Sequence, residues 1–383
     1  MLTKPTDRFA ETLAAIKALA PLVAEHRHAF DRDRRLPDVV YKALADAGLF
    51  RLFLPPKLGG PGFSPMQFME IAEAASALEG SVGWLVANGG GMSRAGGYLP
   101  EAVAQQMFAD PYAFIVSATG AVGNATPCEG GYYVSGRWPF GSGAWHGTQF
   151  MGLASVKKDD GREGPPLCCY FPRADVVLHD NWHVSGLRGT YSCDFEVKDV
   201  FVPSAHTHPL IDLKPTQPGI VYRLPGRSIF PWTISAVPLG MARGAMDAFV
   251  AIASKKAGAT GTTLRDNQTV QMAMGRMEAI HRAARALLID TMTELMAALD
   301  QDPERLVQAR VAFRMACAHS GESAVRIANL LAREASTASI FESGTLERSI
   351  RDIHAGTKHF AMNAIGYTIA GRLSLGLDPG SRF

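Results

Sequence analysis

The chain lacks most of the signals that assign a protein quickly. Its 383 residues contain only five cysteines, Cys128, Cys168, Cys169, Cys193 and Cys317. Their scatter shows no metal-ligand spacing, and an odd, unpatterned set fits a reducing cytoplasm rather than a disulfide framework. No GxGxxG or Walker pattern follows a strand, which excludes a nicotinamide-binding fingerprint and a phosphate loop. No dense basic run is present and the formal net charge is +2, so nucleic acid is not an expected partner. Long apolar runs are missing too. The opening MLTKPTDRFAETLAAIKALA is broken by Pro5, Asp7 and Glu11 and reads as neither a secretory leader nor a membrane span.

What remains is an ordinary globular profile, 47% hydrophobic and 19% charged, long enough for two or three packed units. Up to about residue 111 the period is helical, with Ala10, Leu13, Ile16 and Leu19 on one face. A second helix starts at Leu36-Pro37 and stops at Gly48, and the proline- and glycine-rich residues 52–65 form a fixed loop. The alanine- and glycine-rich residues 83–97 suit close helix packing.

From 112 to 205 the period becomes two. Strands are expected at 113–118, 132–135, 149–155, 167–171, 176–179 and 192–202, with a polar turn at Asp159, Asp160 and Gly161. Adjacent Cys168 and Cys169 place one thiol on each face of a strand. Short strands separated by turns predict an antiparallel barrel or sandwich. After a proline-rich connection at 204–230, residues to 383 return to helical spacing, with Asp302-Pro303 capping a long helix and a final helix from Thr345. The expectation is an α+β chain in three segments: helical 1–111, a β domain at 112–205 and an antiparallel four-helix bundle at 206–383. Two of the bundle helices are long enough to offer outer faces to other subunits.

The stretch GGYYVSGRWPFGSG, residues 130–143, concentrates the chemistry. Gly130 and Gly131 punctuate a turn, Tyr132 to Val134 favour a strand, and Gly136 marks a bulge or a close backbone approach. Trp138 and Phe140, two apart, are expected on one face. Ser142 lies between Gly141 and Gly143, with no side chain on either flank. A hydroxyl beside aromatic walls and bare backbone suits a flat polar ring such as a flavin; the alternative is a glycine-rich hairpin that packs two aromatics into a core.

In sequence order, LPPKLGGPG (54–62), GLRGTYSCDFEVKDVFVP (186–203) and LERSIRDIHAGTKH (346–359) resemble stretches of the acyl-CoA dehydrogenase fold. Within that fold, ATGAVGNATPCEGGYYVSGRWPFGSG (118–143) resembles the two-component flavin-dependent monooxygenases, hydroxylases of phenols, indoles and steroid-derived rings together with dibenzothiophene monooxygenase. The resemblance implies an oxygenase that takes reduced FMN or FAD from a separate flavin reductase, forms a flavin C4a-hydroperoxide with O2, and oxygenates a small aromatic or heteroaromatic substrate. It also implies a homotetramer. The serine of the family's W-x-F-x-S-G turn matches Ser142 and a histidine beside the peroxide matches His359, and these are the expected catalytic pair. Ser117, Thr119, Gly120, Trp138, Phe140 and Ser142 are expected at the flavin, and Arg265 at the flavin phosphate of a neighbouring subunit.

Each assignment has a structural alternative: for Ser142 its own turn, for Trp138 the core, for Ser117 a strand end, for Arg265 a surface ion pair, and for His359 helix packing. His146 and His354 read as loop and packing histidines. Phenol-hydroxylating members carry a histidine within the segment that here reads GSVGWLVANGGGMSRAGG (80–97), which has none; Asn88, Met92 and Ser93 are the pocket candidates in its place. An acyl-CoA dehydrogenase needs a carboxylate base. None follows the Arg351-Asp352 pair in RDIHAGTKHFAMN (351–363), no glutamate lies between Glu196 and Glu278, and Asp247 on the first bundle helix is one methylene shorter. The two rival readings are a dehydrogenase with another base and a catalytically silent ligand-binding relative.

Overall fold

A computed structural model describes residues 5–156, 163–225, 234–255 and 263–380. The turn expected at Asp159, Asp160 and Gly161 lies outside them. The chain forms two compact units, one of Met1–Phe68, Leu85–His183 and Arg188–Ile229, the other of Met69–Trp84, Val184–Leu187 and Phe230–Phe383.

The first unit holds helices α1 (Pro5–Ala18), α2 (Ala20–Arg32), α3 (Asp38–Asp46) and α6 (Glu101–Met107); α4 (Pro65–Leu78) and α5 (Gly80–Met92) contribute residues to both units. Pro37 precedes α3, and Gly48, at φ +73°, ends it, the asymmetry read from the sequence. The loop at 52–65 is interrupted by a single 3-10 turn, Pro56–Leu58.

Strands β1 (Ile115–Cys128), β2 (Gly131–Trp138), β3 (Gln149–Val156), β4 (Leu167–Pro172), β5 (Val177–His179), β6 (Asp194–Pro203) and β7 (Thr207–Pro209) make one seven-stranded sheet in the order β5-β6-β2-β1-β3-β4-β7. The sheet is mixed rather than wholly antiparallel, because β1 and β3 run parallel. β1 is also far longer than expected. It continues past Ser117 through a register shift between Ala118 and Val122 and ends at Cys128. Its second half puts Gly123 and Ala125 inward and Asn124 and Thr126 outward, an alternation too weakly apolar to read as a strand. The connection after β6 holds β7 and a single helical turn, α7 (Ile220–Arg223), with Tyr222 Oη donating to the Phe53 carbonyl at 2.6 Å.

The β1–β2 hairpin closes through Glu129 and Gly130, with Cys128 opposite Gly131 and Gly130 at φ +78°. Both readings of Gly136 hold. The β2–β6 register shifts between Val134 and Gly136, and a Cβ at Gly136 would lie 2.6 Å from the Trp138 ring. Gly123 and Gly152 approach the same indole as closely, with Cβ positions 2.8 and 2.5 Å away. Three glycines therefore form the slot that takes the largest side chain of the core.

The second unit contains α8 (Val237–Lys255), α9 (Gln268–Ala298), α10 (Pro303–Ala335), α11 (Thr345–Gly356) and α12 (Ile365–Ser374). The helix from Thr345 is not the last, since α12 follows it. At a rise of about 1.5 Å per residue, the 31 residues of α9 and 33 of α10 span roughly 45–50 Å. Asn267 caps α9 by accepting the Thr269 amide, and Asp302 caps α10 by accepting the Arg305 amide, with Pro303 in the first turn. α10 packs against α8, α9, α11 and α12, and α8 is tied to α9 by a two-pronged Arg243–Glu278 ion pair at 2.8 Å.

Candidate active site

In the first unit the site is built around residues 139–143. The turn is strained where it leaves β2. Phe140 adopts φ +65°, a conformation that a bulky side chain disfavours, and Gly143 follows at +81°. That geometry separates the two aromatics expected on one face. Trp138 is fully buried, stacked on Phe195 with centroids 5.2 Å apart, and its Nε1 donates to the Leu153 carbonyl at 2.9 Å. It belongs to the core and does not wall a ligand. Phe140 is 65% exposed and meets Trp182 edge to face.

Ser142 is not left open by its glycine neighbours, for it is only 6% exposed and its Oγ lies 2.8 Å from Ser192 Oγ. Ser192 Oγ in turn lies 2.7 Å from Thr190 Oγ1. The two backbones are clamped as well: Gly143 N–H donates to the Thr190 carbonyl at 2.7 Å and Gly141 N–H to the Cys193 carbonyl at 3.0 Å. The start of β1 flanks this turn. A Cβ at Gly141 would lie 3.2 Å from Val116, and one at Gly120 would lie 3.4 Å from Pro139. Ser117 and Thr119 are half-buried beside these contacts, so the structure brings the β1 stretch and the Ser142 turn together. Thr119 and Gly120 lie in the strand irregularity, not in a loop after the strand.

The pocket candidates on and just after α5 divide. Ser93 is fully buried and spent on backbone, accepting the Phe53 amide at 3.0 Å and donating to the Gly90 carbonyl at 2.6 Å. Met92 packs in the core with Leu54, Ile115 and Met151. Only Asn88 keeps partial exposure. His146 is a packing residue, stacked flat on Tyr41 at 4.0 Å with Nε2 at 3.0 Å from the Leu36 carbonyl.

In the second unit His359 lies beyond the end of α11, as the cap of the 3-10 turn Phe360–Met362. Its Nδ1 accepts the Ala361 amide at 3.2 Å, which leaves the ring proton on Nε2. Trp84 meets the ring edge to face at 5.8 Å. Arg314 on α10 holds the same turn by donating to the Phe360 carbonyl at 2.7 Å and to the Ala361 carbonyl. Burial, with the Arg314 charge second, pushes the imidazole down to about 4. At neutral pH His359 is therefore an uncharged donor through Nε2, not the proton exchanger that an ordinary imidazole would be. His354 contacts Asn329 at 3.1 Å.

Residues 8–97 match the acyl-CoA dehydrogenase N-terminal domain family and residues 232–364 the acyl-CoA dehydrogenase C-terminal domain family. The chain is 32% identical over 384 residues to the flavin-dependent monooxygenase, oxygenase subunit HsaA, of Mycobacterium tuberculosis, covering 96% of each. The chain belongs to the flavin-dependent monooxygenases of the acyl-CoA dehydrogenase fold. The solved structure of the M. tuberculosis HsaA monooxygenase matches with a TM-score of 0.90 at 29% identity, over 98% of this chain and 99% of that one. XiaF from Streptomyces sp., solved with FADH2 and glycerol, matches at TM-score 0.88 and 25% identity, over 98% of each. The FADH(2)-dependent resorcinol hydroxylase, oxygenase component, of a Rhizobium species is 27% identical over 100% of this chain and 97% of its own length.

The remaining carboxylates fit a flavin-dependent monooxygenase better than a dehydrogenase. Asp247 on α8 is exposed and lies 3.8 Å from Arg243 one helical turn away. Asp352 on α11 is fully buried, accepts the Leu187 amide at 2.6 Å, and would touch a Cβ at Gly80. Burial first, and then the negative charge of Glu79, push its carboxyl up to about 8. Glu79 itself accepts the Val82 amide at 2.9 Å, at the start of α5. Arg265 sits on an exposed 3-10 turn, 3.9 Å from Asp266. Among the described residues no cluster of His, Cys, Asp or Glu suits a metal, and no helix is long and apolar enough to cross a membrane. The sequence reading missed Thr190, Ser192, Trp84 and the Glu79–Asp352 pair. Only the Thr-x-Ser spacing in GLRGTYSC hinted at the first two.

Proposed function

We propose that this chain is the oxygenase component of a two-component system, in which Ser142 supplies a hydrogen bond to a bound reduced flavin and His359 serves the oxygenation as a hydrogen-bond donor. The observation that carries the reading is the Ser142 turn. A hydroxyl held between two glycines, after a left-handed Phe140, is the kind of backbone strain that persists where a site needs a fixed group. The residues fit a flavin. Phe140 offers an exposed apolar face, and the half-buried Ser117 and Thr119 add hydroxyls from β1 beside the Ser142 turn.

When bound, reduced flavin supplies the electrons and activates O2. The protein's share is orientation, hydrogen bonding and exclusion of water. His359 arrives neutral with Nε2–H as its donor, so it stabilises developing negative charge on oxygen without first losing a proton. Ser142 provides a second donor that can also accept. Arg265, exposed on its turn, suits a phosphate group presented by a neighbouring subunit in a homotetramer. A flavin reductase is the expected partner, and a small aromatic ring the expected substrate. The relatives' names include resorcinol hydroxylase and indole-3-acetate monooxygenase, and the half-buried Asn88 is the pocket candidate on α5.

The test supplies reduced flavin from an unrelated reductase and compares wild type with Ser142→Ala on indole-3-acetate and resorcinol. The reading predicts oxygenated product from wild type and a shift of O2 consumption towards free hydrogen peroxide in the variant. Equal product-to-peroxide ratios in the two proteins would remove Ser142 from the chemistry.

A further inference from the structure

Three side chains on left-handed backbone, Arg34 at φ +54°, Phe140 at +65° and Tyr191 at +43°, belong to one run of contacts in the first unit. The run starts at Phe140, two residues before Ser142. Its ring lies edge to face with Trp182, centroids 6.4 Å apart. The Trp182 carbonyl accepts from Arg34 Nη1 at 3.3 Å, and the same guanidinium grips both oxygens of Asp180 at 2.7 and 2.8 Å. Arg34 also stands over the Tyr191 ring, with Cζ 6.0 Å from its centroid. Tyr191 meets Trp145 edge to face at 5.7 Å, and Arg35 covers the Trp145 ring at 3.5 Å. An antiparallel bridge between Arg35 and Thr190 holds the two arginines in place. Trp145 stands three residues after Ser142, so the run leaves the turn on one side and returns on the other. Both ends stay open to solvent, Phe140 at 65% and Trp145 at 45% exposure.

Packing alone does not explain a strained phenylalanine that points outward. A residue held in the left-handed region persists only where its surroundings over-determine it. The fork between Arg34 and Asp180 supplies that constraint. Asp180 is 57% exposed, so the ion pair adds little to stability. Its worth is directional: a planar guanidinium bonded through two nitrogens to one carboxylate has a single pose, and that pose fixes the Trp182 carbonyl. We propose that Arg34, paired with Asp180, is a positioning residue that holds Trp182 behind Phe140 and so keeps the Phe140 ring turned outward as an apolar wall for the flavin. This role presupposes the flavin reading of the Ser142 turn. Arg35 does the same for Trp145 through the face of its ring. Aromatic walls on either flank of a hydroxyl suit a flat ring system that is polar at one end and benzenoid at the other. The two arginines act on the walls and need not touch the ligand.

The experiment measures the dissociation constant for oxidised flavin, without turnover, together with the melting temperature. The variants are Phe140→Ala, Phe140→Gly, Arg34→Met, Arg34→Lys, Asp180→Asn and the double variant of Phe140→Ala with Arg34→Met. Phe140→Ala is expected to weaken flavin binding roughly three- to tenfold, the scale for one aromatic contact. Phe140→Gly weakens it as much without lowering the melting temperature, because glycine accepts the left-handed backbone. Arg34→Met and Asp180→Asn each weaken binding roughly two- to threefold, and Arg34→Lys does not restore it, since lysine keeps the charge and loses the fork. Arg34→Met changes nothing further once Phe140 is alanine. An additive double variant overturns the inference, as does an Arg34→Met protein that melts earlier and binds flavin as before. If Ser142→Ala changes neither flavin affinity nor the peroxide leak, the underlying reading fails. If Ser142→Ala acts and Arg34→Met leaves the dissociation constant unchanged, the inference alone fails.

Discussion

The Trp84 indole meets the His359 imidazole edge to face, with ring centroids 5.8 Å apart, while the Ala361 amide occupies Nδ1. The ring is held on one side by an aromatic edge and on the other by its own backbone, so only Nε2–H is left to act. With the imidazole pushed down to about 4, its charge does not change across neutral pH. The rate of product formation should show no His359 ionisation between pH 6 and 8. His359→Ala should lower that rate roughly 10²-fold, the scale for loss of one preorganised donor. Steady-state product assays across that range, with peroxide measured in parallel, check both statements.

Arg314 acts on His359 at one remove. Its guanidinium binds the Phe360 and Ala361 carbonyls, the two residues that follow the imidazole. Arg314→Met should cost about 2–3 kcal/mol of stability, because two carbonyls lose a charged donor. It should also raise the peroxide leak in the manner of His359→Ala, but by less. Chemical denaturation and the coupling ratio read the two effects separately.

Asp352 sets an opposite pH trend to three half-buried histidines. Its pKa is raised, from the ordinary carboxylate range to about 8, so between those values the folded state holds a proton that the unfolded chain releases, and stability falls as pH rises. His146, His208 and His359 are depressed to about 4, so stability falls as pH drops from about 6.5 towards 4. The melting temperature should therefore be highest in mildly acidic to neutral buffer and decline towards pH 8. Asp352→Asn keeps an oxygen for the Leu187 amide and removes the buried charge. It should flatten the alkaline limb and gain roughly 2 kcal/mol at pH 8.

The Trp138 slot gives a prediction on stability alone. Gly152→Ala would place a Cβ 2.5 Å from the indole, and Trp138→Phe would lose the hydrogen bond to Leu153 and leave a void. Each should destabilise by about 2–4 kcal/mol. Flavin affinity of the remaining folded protein should be unchanged, because the indole presents no surface to a ligand.

How far the sequence could be read follows from which contacts are local. The Gly130 turn, the Gly136 bulge and the Asp302-Pro303 cap depend on residues within a few positions, and their chemistry is visible in the one-dimensional pattern. The second half of β1 was hidden because its inward residues are Gly123 and Ala125, kept small for an indole that arrives from the next strand. The face of Phe140 was misread because a left-handed residue breaks the two-residue alternation. The Ser142–Ser192 contact joins residues 50 apart, and the Leu187–Asp352 bond joins residues 165 apart. No periodicity reports such pairs. The resemblance to the flavin-dependent monooxygenases pointed to Ser142 and His359, but not to the groups that hold them.

The most direct test of the account supplies 18O2 to the protein with reduced flavin and an aromatic substrate such as indole-3-acetate or resorcinol, and measures the label in the product. The account predicts one 18O atom per molecule of product, with formation dependent on an external source of reduced flavin. Anaerobic bleaching of protein-bound oxidised flavin by an acyl-CoA, with no label entering any aromatic substrate, would contradict it.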